Sequence, residues 1–213
     1  MAEREIDLTT WPRAEAFRFF RTFQRPQYSI TSRLDVTRLV TELKPAGVSA
    51  YRACIYAIGV GIHAVPELRT RFRGDTVVEH DRVALSMTVP LANGGFTYGY
   101  VPFDPDWRVF DPSCAAEIAQ AAERGDLGAN EGFRDDVAYL SCLPWLDFTN
   151  LTNAMPGPDD CIPRVSWGKF TEDGWGRHSV AMTIEAHHAL VDGRHLGLYF
   201  EAAQEAVNAI SAL

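Results

Sequence analysis

The sequence has few basic residues for its length and no concentrated positive charge. Twenty Lys and Arg stand against 28 Asp and Glu, which gives a formal net charge of −8 at pH 7. A nucleic-acid-binding surface needs clustered Lys and Arg, so this balance argues against nucleic acid as a partner. A small anionic ligand remains compatible with it, because one or two local basic residues suffice for binding.

Hydrophobic targeting and spanning segments are also missing. Residues 1–5 are polar and charged, without the apolar region of a signal peptide, and no apolar run is long enough to cross a bilayer. The four cysteines form no Cys-x-x-Cys pair and read as ordinary thiols of a reducing compartment: Cys54, Cys114, Cys142 and Cys161. We therefore expect a cytoplasmic protein without a membrane segment, a disulfide or a cysteine zinc site.

The chain does contain enough hydrophobic residues to form one hydrophobic core. Its 213 residues are 46% hydrophobic, enough for a single domain over residues 1–213 and short for two. There are no internal repeats, low-complexity tracts or linkers. Mixed strands and helices with several hairpins predict an α/β two-layer sandwich with a mixed β-sheet.

Hydrophobic periodicity and turn residues predict the individual elements. Strands are predicted over 6–8, 28–35, 76–79, 83–89, 96–101, 138–141, 145–148, 164–170 and 178–186. Helices are predicted from Thr10 as N-cap, and over 35–44, 49–64, 113–124 and 195–213. Residues 102–112 and 150–163 are expected to be loops, and 125–132 a polar, flexible segment. A turn is expected at 93–95, and a hairpin across 172–174.

A histidine pair marks the most informative stretch, residues 185–193, between a predicted strand and the last helix. Alternation along the strand puts His188 on the face of Met182 and Ile184, and His187 on the opposite, polar face. Partial dehydration beside apolar residues favours the neutral imidazole, which is the form that a general base needs. Taken singly, such a histidine is more often a packing residue, and Asp192-Gly193 is more often a turn and helix N-cap.

Three separated motifs together resemble one family. His187-His188-Ala189-Leu190-Val191-Asp192-Gly193 resembles the active-site signature of the chloramphenicol acetyltransferases. The opening Ile6-Asp7-Leu8 with Trp11-Pro12-Arg13, and the segment Ser141-Cys142-Leu143-Pro144-Trp145, resemble two further parts of that family. Looser forms of the histidine signature also occur in 2-oxo-acid dehydrogenase acyltransferase cores and peptide-synthetase condensation domains. The length argues against a condensation domain, and nothing upstream resembles a lipoyl domain.

The resemblance implies an O-acetyltransferase that moves an acetyl group from acetyl-CoA to a hydroxyl, with no permanently bound cofactor. Chloramphenicol is the reference acceptor, and antibiotic resistance the implied role. It also implies a homotrimer with active sites between subunits. By match to the family, His188 is the general base, Ser141 the oxyanion donor, and Asp192 paired with Arg13 an orienting group.

The resemblance extends, with weaker motifs, to the two substrates. Five residues are expected to bind coenzyme A: Lys169, Phe170, Ser166, Trp145 and Tyr51. Six are expected to line the acceptor pocket: Phe19, Phe20, Tyr28, Phe96, Leu151 and Asn153. Phe170 replaces a family tyrosine, and Gln24, Pro26 and Asn153 replace apolar or small residues. Gln24 and Asn153 would make the pocket more polar.

Other functions remain open from the sequence. The same fold with a different hydroxyl acceptor is one, and a catalytically silent trimeric binding protein is another. A metal site built from His187, His188, Asp192 and His195 is a third, although adjacent strand histidines point apart and no zinc signature is present. The Gly-x-Ser-x-Gly elbow of serine hydrolases does not occur in the chain.

Overall fold

A computed structural model of the chain describes residues 2–125 and 134–212. Nine strands are described: β1 (Glu3–Glu5), β2 (Gln27–Asp35), β3 (Thr70–Arg73), β4 (Thr76–His80), β5 (Ala84–Pro90), β6 (Phe96–Pro102), β7 (Val137–Cys142), β8 (Arg164–Glu172) and β9 (His178–His187). Four α-helices are described: α1 (Ala14–Phe20), α2 (Ala50–Ala64), α3 (Trp107–Arg124) and α4 (Gly193–Ala209). A π-helical turn spans Leu39–Leu43, and a 3-10 turn spans Pro66–Arg69.

The centre of the fold is a six-stranded mixed sheet in the order β2-β9-β8-β7-β5-β6. Strand β7 runs parallel to both of its neighbours, and the other pairs are antiparallel. A smaller antiparallel sheet has the order β1-β4-β3. Helices cover one face of the large sheet, which confirms the predicted α/β two-layer sandwich.

The two faces of the large sheet differ sharply in chemistry. Alternate residues such as Met87, Val165 and Ile184 are fully buried on the helix-covered face, where the hydroxyl of Tyr199 in α4 donates to the sulfur of Met182 at 3.3 Å. The residues between them on each strand are polar and lie on the opposite face. Alternation is what a sheet with one apolar covering layer requires.

Most predicted elements are present, with the expected local signals at their ends. Ser49 caps α2 by accepting a hydrogen bond from the Arg52 backbone N–H at 3.3 Å, and Gly125, with φ of +68°, ends α3. The β8–β9 hairpin closes across residues 173–176. Beyond Gly125, the predicted flexible segment lies outside the described residues.

Several predicted boundaries are wrong. The first strand is Glu3–Glu5 rather than 6–8, and α1 begins at Ala14, because residues 7–11 form a turn on Asp7, whose oxygens accept from Thr9 and Trp11. Helix α3 starts within the predicted loop, at Trp107, since Asp106 accepts from the Arg108 N–H at 2.9 Å and caps it. The helix continues through Pro112.

Two further differences concern strands. Residues 70–73 form β3, which the sequence analysis left out because the segment is short and holds two arginines. Residues 145–148 form no strand, and Trp145 is 75% exposed. The last helix begins at Gly193, two residues before the predicted start.

Candidate active site

The junction between β9 and α4 holds His188 in a turn just beyond the strand. The backbone N–H groups of Leu190 and Val191 both donate to the His187 carbonyl at 3.0 Å, which closes the turn. The His188 N–H donates to the Pro26 carbonyl at 2.9 Å and ties the turn to the segment before β2. These bonds fix the backbone from which the imidazole projects.

Arg13 clamps this turn from the other end of the chain. Its guanidinium forms a bidentate ion pair with the Asp192 carboxylate, including Nη2 to Oδ1 at 2.6 Å. It also donates through Nη2 to the His188 carbonyl at 2.6 Å and through Nε to the Ala189 carbonyl at 2.9 Å. This nearly buried guanidinium therefore hydrogen-bonds both the Asp192 carboxylate and the two backbone carbonyls of the histidine turn. A planar fork of donors makes this possible, and a lysine would not match it.

The ring of His188 lies between aromatic side chains and solvent. Phe20 stacks on it with ring centroids 3.8 Å apart and planes 6° apart, and Tyr28 lies at 4.6 Å. The His188 side chain is 34% exposed, so a substrate can reach it. Its Nδ1 makes no hydrogen bond to the described residues, although Oδ1 of Asp192 lies 3.3 Å away.

Charge at this turn is set by Asp192 and its neighbours. The hydrogen bond from Arg13 outweighs partial burial and lowers the pKa of Asp192 below its ordinary value, so the carboxylate is ionised at neutral pH. Burial, together with the negative charge of Asp192, raises the pKa of Tyr28 to about 12, which keeps its hydroxyl protonated. That hydroxyl donates to the Val191 carbonyl at 3.2 Å.

His187 has both ring nitrogens engaged within the protein. The Ala189 N–H donates to Nδ1 at 3.1 Å, and Nε2 lies 2.9 Å from the Pro158 carbonyl, to which it donates. This pattern is that of a neutral imidazole, and burial lowers the pKa of His187. His187 is a structural residue of the turn, and only His188 of the pair has an accessible ring.

Ser141 lies in a different place, in a cleft on the polar face of the large sheet. The cleft has a volume of about 390 Å³, and we call it the Ser141 cleft. Its lining residues are Ser86, Thr88, Tyr98, Tyr100, Tyr139, Leu140, Ser141, Asn153, Ala154, Pro156, Asp160, Arg164, Val165 and Ser166. Ser141 pairs with Ser166 across β7 and β8, so the two hydroxyls are neighbours on one face.

One chain does not bring Ser141 to His188. Ser141 is level with Ser166, and Ser166 is level with Thr183 on β9, two strands away. With a rise of about 3.3 Å per residue and about 4.8 Å between strands, Ser141 and His188 lie on the order of 20 Å apart. Two side chains cannot bridge that distance, so Arg13, His188 and Asp192 are assembled without Ser141.

The residues expected to bind coenzyme A are spread along β8 and the segment beside it. Ser166 is buried in the Ser141 cleft, whereas Lys169 and Trp145 are exposed and Phe170 is half-buried. The Lys169 N–H donates to the Leu146 carbonyl at 2.7 Å, which holds β8 against residues 145–148. Tyr51 donates to the Thr88 carbonyl at 3.0 Å, near the cleft.

The residues expected to bind the acceptor divide between the two regions. Phe20 and Tyr28 contact His188, and Phe19 packs edge-on against Phe20 at 5.1 Å. Asn153 lines the Ser141 cleft, and Phe96 packs edge-on against Tyr98 of that cleft at 5.6 Å. The sixth residue, Leu151, is half-buried in the loop that leads to Asn153.

Sequence reasoning missed several residues of the cleft: Ser86, Tyr98, Tyr100, Tyr139, Asp160 and Arg164. The signal was available in the alternation of the strands. Ser86 with Thr88, Tyr98 with Tyr100, and Arg164 with Ser166 each put polar residues two apart between buried apolar ones. Two-residue spacing places such pairs on one face, and their recurrence in three strands predicts a polar surface on the sheet.

The possible metal ligands near His188 do not converge. His187 uses both ring nitrogens as described, and Nδ1 of His195 accepts the Asp192 backbone N–H at 2.9 Å. Over residues 2–125 and 134–212, no cluster of three or more His, Cys, Asp or Glu is placed to hold a metal ion.

The four cysteines are free thiols. No helix in the described ranges is both long and apolar enough to span a membrane.

Comparisons with known proteins identify a family and a shared fold. A family model described as chloramphenicol acetyltransferase matches residues 1–204. A chloramphenicol acetyltransferase of Bacillus pumilus is 29% identical over 200 residues, covering 93% of this chain and 90% of the relative. A solved chloramphenicol acetyltransferase structure superposes with a TM-score of 0.85 at 27% identity, covering 97% of this chain and all of the other. A probable dihydrolipoamide acetyltransferase of Listeria monocytogenes shares the fold, with a TM-score of 0.69 at 12% identity over 100% of this chain and 99% of the other.

Proposed function

We propose that this chain, which belongs to the chloramphenicol acetyltransferase family and is an acyltransferase, transfers an acetyl group from acetyl-CoA to a hydroxyl of a small acceptor. It acts as one domain over residues 1–213 and in the cytoplasm. Chloramphenicol is the first acceptor to test, since it names the family and the relatives. Its acetylation would make the protein a resistance enzyme.

The observation that carries the proposal is the arrangement of Arg13, His188 and Asp192. An accessible imidazole stands in a turn that an arginine from the N-terminal segment holds by four hydrogen bonds. A carboxylate 3.3 Å from Nδ1 favours the tautomer with the proton on Nδ1, which leaves Nε2 free to accept one. A fixed tautomer and a fixed ring position are what a general base requires.

In the proposed reaction, Nε2 of His188 takes the proton of the acceptor hydroxyl while its oxygen attacks the thioester carbonyl carbon. The new C–O bond forms, and the carbonyl π electrons move onto the carbonyl oxygen. When the C=O bond re-forms, the C–S bond breaks and the sulfur of coenzyme A takes the proton back from His188. Acetyl ester and free thiol are the products, and the enzyme is unchanged.

Ser141 is the proposed donor to the negatively charged oxygen of the intermediate. Its neighbour Ser166 is 1% exposed and supplies a second hydroxyl on the same face of the sheet. Removing one such donor costs about 10²–10³ in kcat in other enzymes. Because Ser141 and His188 of one chain are too far apart, the proposal requires two copies, each supplying one part of every site. A cyclic homotrimer with sites between subunits meets this requirement.

The remaining residues are assigned to the two substrates. Lys169, Phe170, Trp145 and Tyr51 are proposed to bind coenzyme A, with the exposed Lys169 available to a phosphate and Trp145 and Phe170 to the adenine and pantetheine. The acceptor is proposed to lie between Phe19, Phe20 and Tyr28 of one copy and Phe96, Leu151 and Asn153 of the next. A tightly bound metal or prosthetic group has no part in this reaction.

A thiol-release assay with acetyl-CoA and chloramphenicol tests the proposed function. His188→Ala removes the base and is expected to lower turnover by about 10²–10⁴. His178→Ala, at the other end of the same strand, is the matched control and should leave turnover close to that of the unmodified protein. Acetyl-CoA consumption that His188→Ala does not change would exclude His188 as the base.

A further inference from the structure

The floor of the Ser141 cleft is formed by cross-strand rows of polar side chains. In the first row Tyr100 pairs with Ser86, Ser86 with Tyr139, and Tyr139 with Arg164. In the second, Ser141 pairs with Ser166, and Tyr98 pairs with Thr88. Directly paired residues point to the same face, so the rows present hydroxyl and guanidinium groups side by side. Four of the cleft's lining residues have wholly apolar side chains, Leu140, Ala154, Pro156 and Val165, and the tyrosine rings supply further apolar surface.

The charged residues of the cleft neutralise each other. Arg164 forms a bidentate pair with Asp160, with nitrogen–oxygen distances of 3.0 and 2.7 Å, and both side chains are nearly buried. The two carboxylate oxygens therefore occupy the terminal nitrogens of the guanidinium. A carboxylate or phosphate on the acceptor would find no free cation here, which favours an uncharged acceptor.

Ser86 provides an unused hydrogen-bonding group in the same cleft. Its residue is 1% exposed, and its Oγ has no hydrogen-bond partner among the described residues. Leaving a buried hydroxyl without a partner carries a free-energy cost. A hydroxyl of a bound acceptor would remove that cost, whereas an apolar group in its place would not.

Tyrosine rings also give the cleft flat apolar surfaces. The guanidinium carbon of Arg164 lies 5.2 Å from the centre of the Tyr139 ring, which fixes the orientation of that ring. Tyr98 is held edge-on by Phe96. Tyrosine combines a flat apolar face with a polar tip, so rings of this kind can pack against the C–H face of a saturated ring while hydroxyls bind its oxygens.

We propose that the acceptor of this enzyme is an uncharged, polyhydroxylated ring, of the sugar or cyclitol class. The inference rests on the proposed acetyl transfer and names the acceptor for that same site. The volume of about 390 Å³ is within the usual range for small-ligand sites. A site that hydrogen-bonds several substrate hydroxyls discriminates strongly against analogues that lack them, because its own polar groups are then left unpaired.

The experiment measures kcat/KM for thiol release from acetyl-CoA with four acceptors: methyl α-glucoside, myo-inositol, cyclohexanol and chloramphenicol. Cyclohexanol is the matched control for myo-inositol, since it has the same carbon ring with one hydroxyl. We expect the better polyol to exceed both cyclohexanol and chloramphenicol by at least about tenfold. The product is a monoacetyl ester, identified by mass spectrometry.

A pair of variants ties the preference to the cleft. Ser86→Ala is expected to lower kcat/KM for the polyol about tenfold, the loss of one hydrogen bond, and to leave the melting temperature unchanged or raised. Ser32→Ala removes an exposed hydroxyl of β2 that lies outside the cleft and should change neither quantity. A lower melting temperature in Ser86→Ala with unchanged kcat/KM would make Ser86 structural and overturn the inference.

The outcomes separate this inference from the proposed function. His188-dependent turnover that is highest with chloramphenicol would overturn the polyol acceptor and leave acetyl transfer intact. Absence of His188-dependent turnover with all four acceptors would overturn the proposed function, and the inference with it. His188-dependent turnover that is highest with a polyol supports both.

Discussion

At the scale of single residues, the proposed reaction requires that the imidazole of His188 be held in a fixed position. Arg13 donates to the carbonyl of His188 itself, to the next carbonyl, and to Asp192 at the start of α4. All three acceptors belong to the turn between β9 and α4. In the proposed reaction Arg13 is therefore a positioning residue, which acts through His188 and does not contact the reacting atoms.

Arg13→Lys tests this positioning role. Lysine keeps the positive charge but loses the planar fork, so it cannot bind the carboxylate and two carbonyls together. We expect kcat to fall about 10²-fold, because small displacements of a catalytic group have effects of that size, with little change in KM for acetyl-CoA.

Arg18→Lys is the control for that substitution. Arg18 is exposed on α1, and its side chain makes no hydrogen bond or ion pair with the residues the structure describes, so kcat should be unchanged. An Arg13→Lys protein that folds and keeps the kcat of the unmodified protein would show that the clamp has no catalytic role.

At the scale of elements, local signals predicted most of the secondary structure. Alternating residues identified β2, β8 and β9, and the capping residue Ser49 identified the start of α2. The failures have physical causes. Pro112 suggested a helix boundary, but Asp106 caps α3 six residues earlier and the helix tolerates the missing donor. Strand β3 depends on pairing with β4, which a short segment does not reveal by itself.

The candidate site was also predictable only in part, because some of its residues depend on strand pairing and not on local sequence. The histidine turn is local in sequence, and its pairing with Arg13 came from resemblance to a family rather than from residue pattern. The Ser141 cleft depends on which strands are neighbours. Tyr139 becomes adjacent to Ser86 and Arg164 only through the parallel pairing of β7, and no local rule gives that order.

Gly168→Ala tests the contact between β8 and the segment that carries Trp145. A Cβ at Gly168 would overlap the Leu146 carbonyl oxygen and lie 3.0 Å from the Phe148 ring. Because backbone must move to relieve this overlap, we expect the free energy of unfolding to fall by about 1–3 kcal/mol. If Trp145 binds coenzyme A, KM for acetyl-CoA should rise as well.

Gly197→Ala is the matched control for that prediction. Nothing lies within 4 Å of a Cβ at Gly197, which is in the interior of α4. Alanine is the better helix former by about 1 kcal/mol, so this change should stabilise the protein. Equal unfolding free energies for Gly168→Ala and the unmodified protein would contradict the close approach.

Asp135 links the small sheet to the start of β7 and makes stability depend on pH. Burial alone would raise its pKa, but hydrogen bonds from His80 and Arg73 outweigh burial, and the pKa of Asp135 lies well below its ordinary value. A carboxyl whose pKa is lower in the folded state stabilises the fold above its unfolded pKa, about 4. That contribution is lost as the pH falls through the folded pKa.

Asp135→Asn should therefore destabilise the protein at pH 7 by about 1–3 kcal/mol. The difference from the unmodified protein should shrink as the pH is lowered below about 4. Urea unfolding at several pH values measures both effects. Asp75→Asn, a fully exposed partner of Arg21, is the control and should cost no more than about 1 kcal/mol. A difference for Asp135→Asn that stays constant down to low pH would rule out the ionised carboxylate as its source.

At the scale of the whole molecule, the two halves of the proposed site lie in different regions of one chain. The histidine turn is at one end of β9, and the Ser141 cleft is two strands away near its middle. Half-buried and exposed aromatic residues surround the histidine turn, including Phe19 at 57% and Phe23 at 42% exposure. The central claim is that one copy supplies His188 and another supplies Ser141.

Co-expression of two inactive variants measures this claim directly. His188→Ala and Ser141→Ala subunits, carrying different affinity tags, are purified together through both tags and assayed for thiol release with the best acceptor. In mixed assemblies, a site that takes His188 from one subunit and Ser141 from the other is intact. Each mixed cyclic trimer has one such intact site in three, so the doubly purified protein should show about a third of the unmodified activity, while each variant alone stays about 10² or more below it. Mixed assemblies no more active than the average of the two variants would contradict a site shared between copies.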